Sequence, residues 1–301
     1  MVYVEKFKLK EKDYYRLVHN IRSGDRIIHK IKYLGKEIPS KKKLEKIKKE
    51  FLKEINTKGT KYFSQKELES IENKKEQYVK ELKKLNYIEK KKKVEEFMIR
   101  YTYDSSKLSG VEITLRQTFL ILKEGIIPKE FKNLRIVKEI ENHEQGFMMI
   151  TKYKGTFDLK FIKRLHHLLM KGVNEEIAGK LRSELKRNVQ IAGTPYVPPK
   201  WNELDKEIKN FFLWYKENSR KLHPLELGSL IHLKLISMQM FADGNSRLSR
   251  LLMNWVLWKK DYPLIDIPVE DLENYYNALD YYQVEKDEKS FLKYILEKYL
   301  G

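Results

Sequence analysis

The chain has 301 residues, enough for one large domain or two modest ones, and 41% of them are hydrophobic, so disorder throughout is excluded. It has no cysteine, which removes disulfides, zinc-thiolate sites and thiol nucleophiles and points to a cytoplasmic protein. The formal charge is +19, of which +14 lies in residues 1–100, so a polyanionic partner is weighed against a Lys- and Glu-rich solvated surface.

No stretch approaches the roughly 18 apolar residues of a membrane span, and the N-terminus lacks the apolar core of a signal peptide, so no membrane partner is expected. Residues 2–35 read as three short strands, "VYVEKFKL", "YYRLVHNI" and "RIIHKIKYLG", separated by turns. They predict a small antiparallel β meander over residues 1–38. Arg16, His19, Arg26, His29 and Lys32 are expected to form its outward basic face. That face reads as an edge protected by charge, with a nucleic-acid-binding module as the alternative.

A helical region, residues 39–100, follows. Ser40 precedes "KKKLEKIKKEFLKEI", and Ser64 with Glu67 makes a capping box. The run from Gln65 to about Tyr101 breaks at Asn86 and Tyr87, and Lys90 to Lys93 read as a solvated helix face. In the third part, residues 101–301, the periodicity predicts helices at about 114–124, 134–145, 158–171, 201–217, 224–239, 247–259, 270–283 and 288–299. Between two of them, "NVQIAGTPYVPP" (188–199) combines alternation with Gly and Pro turn signals and predicts a β-hairpin flap.

The densest chemistry lies in "QMFADGNSRLSR", residues 239–250. Leu227, Leu230, Ile231, Leu235 and Met238 are predicted on one face of the helix before it, and Leu248, Leu251, Leu252, Trp255 and Trp258 on one face of the helix after it. Free N–H groups at the start of the second helix suit a phosphate, and Arg247 and Arg250, three apart, can aim at its oxygens. Asp243 offers a hard oxygen ligand for Mg²⁺. An ordinary helix-joining turn is the simpler reading of Asp243 to Ser246 alone.

The stretch resembles the loop of the Fic (Fido) family, which runs His, any, Phe, any, Asp or Glu, Gly, Asn, Gly, Arg, any, any, Arg. Phe241, Asp243, Gly244, Asn245, Arg247 and Arg250 match. The resemblance extends over about residues 100–285, through "AGKLR" (178–182), the flap, "LHPLELGSLIH" ending at His232, and "YYNAL" (275–279). It implies a mainly α fold: a Fic helical domain with a β-hairpin flap, preceded by the small meander and helices. It also implies transfer of AMP from ATP to a hydroxyl of a target protein whose identity the sequence does not give.

On that resemblance Asp243 holds Mg²⁺; Gly244, Asn245, position 246 and Arg247 hold the phosphates; Arg250 holds the terminal phosphate; and Gly193, Thr194 and Tyr196 align the target segment. Tyr275 and Tyr276 are assigned to core packing first and to a base pocket second. Three departures stand out. The catalytic histidine is replaced by Gln239, whose amide cannot take a proton near neutral pH, and loss of a positioned base costs on the order of 10² to 10⁴ in rate. His232, one helix length away, is assigned to packing. Ser246 replaces the second glycine and is expected to crowd a phosphate or strain the backbone. Finally, "DSSKLSG" (104–110) resembles the family's inhibitory segment, with Ser105 and Gly110 in place but Ser109 where a glutamate belongs; Glu112 is a weak substitute. The reading is a nucleotide-binding Fic fold with impaired catalysis. An active AMP or phosphoryl transferase using another base and the N-terminal nucleic-acid module are the alternatives.

Overall fold

The structure is a computed structural model that describes residues 2–9, 11–23, 26–56, 60–129, 131 and 134–301. The chain divides into two compact units, residues 1–59 and 60–301.

In the first unit, β1 (Val2–Leu9), β2 (Lys12–Ser23) and β3 (Arg26–Gly35) form an antiparallel sheet in chain order, followed by α1 (Lys41–Asn56). The meander is as the alternating β-branched and aromatic residues predict, but the single basic face is not. Leu17 pairs with Lys32 and His19 with Lys30, whereas Arg16 pairs with Tyr33 and Asn20 with His29. Because successive strand residues point to opposite faces, Arg16 and His29 share one face while His19 and Lys32 share the other. Arg16 is further engaged by Glu5 at 2.5 Å and lies over the Phe7 ring. The side chain of Arg26 falls outside the described residues.

The second unit is helical: α2 (Gln65–Lys84), α3 (Tyr87–Lys107), α4 (Leu115–Phe119) continued by a π-helical turn (Leu120–Glu124), α5 (Leu134–Lys152), α6 (Leu159–Met170), the single turn α7 (Arg182–Leu185), α8 (Leu204–Asn218), α9 (Pro224–Met238), α10 (Asn245–Trp258), α11 (Leu272–Glu285) and α12 (Glu288–Leu300). The capping box predicted at Ser64 and Glu67 starts α2, and at the predicted break a second box, Asn86 with Glu89, starts α3.

Helix α9 is buried on all sides, which its sequence requires because it is apolar almost all round. Leu227, Ile231, Leu235 and Met238 enter a core shared with α3, α5, α6, α8 and α10. Leu225, Leu230, Leu233 and Ile236 face a second core formed with α2, α11 and α12. Leu230 therefore does not join the stripe of Leu227 and Ile231, because the helix has two apolar stripes rather than one. Gly228 permits the close approach of α10, since a Cβ there would lie 3.0 Å from the Met253 carbonyl oxygen.

The other difference of consequence is α3, which runs six residues past Tyr101. Its last turns bury Thr102, Asp104, Ser105 and Ser106, polar residues that an apolar period does not register. The inhibitory-like segment is thus mostly helix.

Candidate active site

Residues Gln239 to Gly244 connect α9 to α10. Gln239 ends α9 in the left-handed region (φ 48°, ψ 62°), a conformation that costs a non-glycine residue roughly 1 kcal/mol or more. Arg182 holds it there. Fully buried, this guanidinium donates from Nε to Gln239 O at 2.5 Å and from its Nη atoms to Met238 O, Pro199 O and Arg187 O, while its own N–H donates to Met240 O at 3.0 Å. All of its side-chain hydrogen bonds go to main-chain carbonyls. Two of these lie at the C-terminal end of α9, where the helix dipole favours a cation.

Both ends of the Gln239 side chain are occupied. Nε2 donates to Ile236 O at 2.7 Å, and Oε1 accepts from Asn245 Nδ2 at 2.8 Å. Asn245 also closes the loop on itself, accepting from Phe241 N–H at 3.0 Å and donating to Phe241 O at 2.8 Å.

His166, which the sequence reading passed over, supports the loop from below. Its ring stacks on Phe241 with centroids 3.7 Å apart, and its Nδ1 accepts from Gly179 N–H at 3.0 Å, leaving Nε2–H for Asp243 O at 2.9 Å. Burial lowers its pKa to about 4, so it stays neutral in this role. His232 is also buried and neutral, lowered to about 3 by desolvation and by Arg250, with Nε2 on Tyr275 Oη at 3.0 Å and its ring against Phe291. It packs in the core, as expected.

The phosphate side has an open helix N-terminus. Gly244 precedes α10 at φ 77° with no side-chain cap, so the first N–H groups of α10 have no capping oxygen. A Cβ at Gly244 would lie 3.0 Å from Met170 Sδ and 3.3 Å from His166 Nε2, which leaves no room for a side chain. Asp243 is exposed and accepts from Gly244 N–H through Oδ1 at 2.6 Å. One exposed carboxylate beside an uncapped helix N-terminus suits Mg²⁺, which uses one or two carboxylates plus phosphates. Among the described residues no cluster of three or more His, Asp or Glu could hold a metal by itself.

Both arginines are buried and already engaged. Arg247 Nη1 donates to Glu139 Oε2 of α5 at 2.6 Å, and Glu139 also receives Arg135 at 3.0 Å. Arg247 Nε is buried without a partner, an orphan donor that suits an additional oxygen. Arg250 donates from Nε to Ser105 Oγ at 3.0 Å, from Nη2 to Ser105 O at 2.5 Å and Ser109 Oγ at 2.7 Å, and from Nη1 to Ser246 Oγ at 2.5 Å. His143, whose pKa burial drives well below the usual value, continues this network from Ser105 Oγ to Thr102 Oγ1.

These contacts revise three expectations. Ser246 lies inside α10 with helical backbone, so no strain arises there, and its hydroxyl binds Arg250. Ser109 does reach Arg250, by a neutral hydrogen bond in place of a charge pair. Glu112 is exposed and makes no bond to Arg250; the carboxylate that meets a loop arginine is Glu139 of α5, on Arg247. Gly110 ends the segment at φ 83°. Tyr275 is core, while Tyr276 is partly exposed and donates to Leu108 O at 2.7 Å.

The flap differs from its prediction. Residues 188–199 form no strand ladder. Pro195, Pro198 and Pro199 lack the N–H a ladder needs, Asn188 Oδ1 accepts from Trp201 N–H, and Thr194 Oγ1 accepts from Tyr196 N–H in a local turn around Gly193 at φ 81°. Tyr196 Oη donates to Ser237 O at 3.1 Å and anchors the segment beside the end of α9.

Residues 156–257, which span α6 to α10, match the model of the Fic/DOC family. Protein adenylyltransferase Fic of Drosophila virilis is 30% identical over 212 residues, covering 67% of this chain and 41% of that protein; the Drosophila melanogaster protein gives 30% identity, 67% and 40%. The chain spans about two fifths of the length of these relatives. Among solved structures, a Fic domain containing signaling protein from Bacteroides thetaiotaomicron is similar at TM-score 0.69 and 26% identity, covering 77% of this chain and 92% of that one. Fic-1 from C. elegans shares the fold at TM-score 0.66 and 19% identity, covering 87% of this chain and 75% of that one.

Proposed function

Because the chain belongs to the Fic/DOC family, we propose that it holds ATP and Mg²⁺ on the Gln239–Arg250 loop and transfers AMP to a protein hydroxyl slowly or not at all. The observation that carries this reading is the state of Gln239. Its amide stands at the loop entrance, both ends hydrogen-bonded within the protein, in a position where an acceptor hydroxyl would need a base. The nearby imidazoles offer no replacement. His166 uses both ring nitrogens on the backbone, and His232 is buried against Tyr275 and Phe291.

Binding has more support than turnover. The α10 N-terminus is uncapped, and Arg247 Nε is buried without a partner. Asp243 would hold Mg²⁺, which when bound neutralises phosphate charge and orients the phosphates. An entering triphosphate has to displace Glu139 from Arg247, and Ser105, Ser109 and Ser246 from Arg250, so affinity is expected to be weak. The flap from Gly193 to Pro198, anchored through Tyr196, would align the target segment.

Calorimetry with Mg-ATP tests the binding half. No heat at millimolar nucleotide overturns it. Incubation with α-labelled ATP, alone and with lysate, tests the rest: rapid labelling by the wild-type protein would overturn the claim of impairment.

A further inference from the structure

The α2–α3 hairpin ends in an apolar point that the nucleotide site does not explain. Tyr87 and Ile88, in the first turn of α3, are 79% and 75% exposed. Every residue from Asn86 to Lys93 is exposed, on all sides of the helix, so this end of the hairpin projects into solvent while the other end of α3 is buried around Arg250. Residues 80–93 carry seven lysines against Glu81 and Glu89. Glu89 is used in the cap of α3, and Glu81 pairs with Lys93. Among the described residues Lys83, Lys84, Lys90 and Lys91 have no ion pair. A solvated helix face accounts for the lysines but not for an isoleucine and a tyrosine held together at the extremity.

We propose that this tip docks on an anionic lipid bilayer, with Tyr87 and Ile88 entering the interface and the lysines meeting the headgroups. A bilayer surface offers an apolar layer beneath an anionic one, and the tip presents the two complementary levels in that order. At about 1.5 Å per residue, Lys90 to Lys93 sit roughly 3 to 8 Å behind Ile88 along α3. That spacing is comparable with the roughly 5–10 Å depth to which interfacial apolar groups are buried. Lysine stems reach toward the apolar layer while their ammonium groups stay at the phosphates, and tyrosine is favoured at such boundaries. A nucleic acid would satisfy the lysines and leave Ile88 in water. The chain has no helix long and apolar enough to cross a membrane, a fact that concerns spanning and leaves surface docking open. Docking would orient α3, whose far end carries Ser105, relative to the bilayer.

Flotation of the full chain with vesicles tests the proposal, using phosphatidylcholine alone and phosphatidylcholine with about one third phosphatidylglycerol. The wild type should float with the anionic vesicles and stay behind with the neutral ones. Tyr87→Ser combined with Ile88→Ser should reduce the bound fraction about tenfold, since both a desolvated aromatic and a branched aliphatic are lost. Lys90→Gln with Lys91→Gln should also reduce it about tenfold, because two lysines at about fivefold each give roughly 25-fold before screening lowers it. Circular dichroism should be unchanged in both, because all four side chains are exposed. Absence of flotation with anionic vesicles overturns the proposal. So does flotation of the Tyr87→Ser, Ile88→Ser variant at the wild-type level, which would assign the binding to charge elsewhere on the chain.

Discussion

Asn245 Nδ2 donates to Gln239 Oε1 at 2.8 Å, joining two side-chain amides across the entrance of the α9–α10 loop. An imidazole at position 239 has no carbonyl oxygen to receive that proton. Its ring would instead be available to an acceptor hydroxyl. Gln239→His is therefore expected to raise self-labelling from α-labelled ATP by on the order of 10² to 10⁴, the usual contribution of a positioned base. Gel autoradiography of the variant beside wild type checks this, and equal labelling in both would remove Gln239 as the limiting residue.

On the proposed nucleotide site, the Glu139 carboxylate on Arg247 would compete with a phosphate. Glu139→Gln keeps the shape and a hydrogen-bond acceptor but removes the charge, so Mg-ATP affinity should rise about tenfold. The unliganded protein should be less stable, because Arg247 loses its buried counter-ion, at a cost of up to about 3 kcal/mol. Calorimetric titration and melting with and without nucleotide separate the two effects. Unchanged affinity would show that the ion pair opens freely.

Ser109 closes on Arg250 without charge, so the strength of that closure should be adjustable in both directions. Ser109→Ala should tighten Mg-ATP a fewfold by removing one acceptor, worth about 1 kcal/mol. Ser109→Glu should weaken it at least tenfold by supplying a carboxylate beside the guanidinium. An identical Kd in the two variants would mean that the terminal phosphate does not reach Arg250.

Acid should destabilise the protein through its buried imidazoles. His166 and His232 have folded pKa values lowered to about 4 and 3 by burial, and His143 is lowered as well. Below the ordinary value of about 6.5 the unfolded chain takes up protons that the folded chain refuses, so their contribution is complete above that pH and declines by about 1.4 kcal/mol per unit for each group as pH falls. Asp266 has the opposite sign: burial and the neighbouring Asp104 raise its pKa, so the folded state holds its proton and gains relative stability as pH falls. Burial raises Glu226 and Glu144 in the same sense but less, and the three imidazoles outweigh these carboxyls between neutral pH and about pH 5. Urea midpoints between neutral pH and about pH 5 should drop steeply, and a flat profile would contradict the neutral assignment of these histidines.

Much of this arrangement is readable along the chain wherever a signal is local. Turn chemistry between two apolar helices marks the Asp243–Arg250 loop, and Gln239 stands where the resemblance places a histidine. What the sequence conceals is contact at long range. Glu139 lies 108 positions from Arg247 within a helix containing several glutamates, and nothing local distinguishes it. His166 sits in "LHHLL" beside an equally plausible neighbour, and only the fold selects which ring stacks on Phe241. The last six residues of α3 escape the sequence pattern for a different reason: their inward face is lined by hydroxyls that satisfy Arg250 and His143, so the apolar rhythm that announces a buried helix stops before the helix does. The flap's prolines are legible in the sequence, and their missing N–H groups prevent the strand pairing that the alternation around them suggests.

The anchorage of Arg182 has a corollary for position 239. A cation that grips only main-chain oxygens cannot sense which side chains those residues carry. A substitution at position 239 therefore leaves untouched the Arg182 bonds that hold the loop entrance. A histidine introduced at position 239 would meet the same main-chain frame as the glutamine.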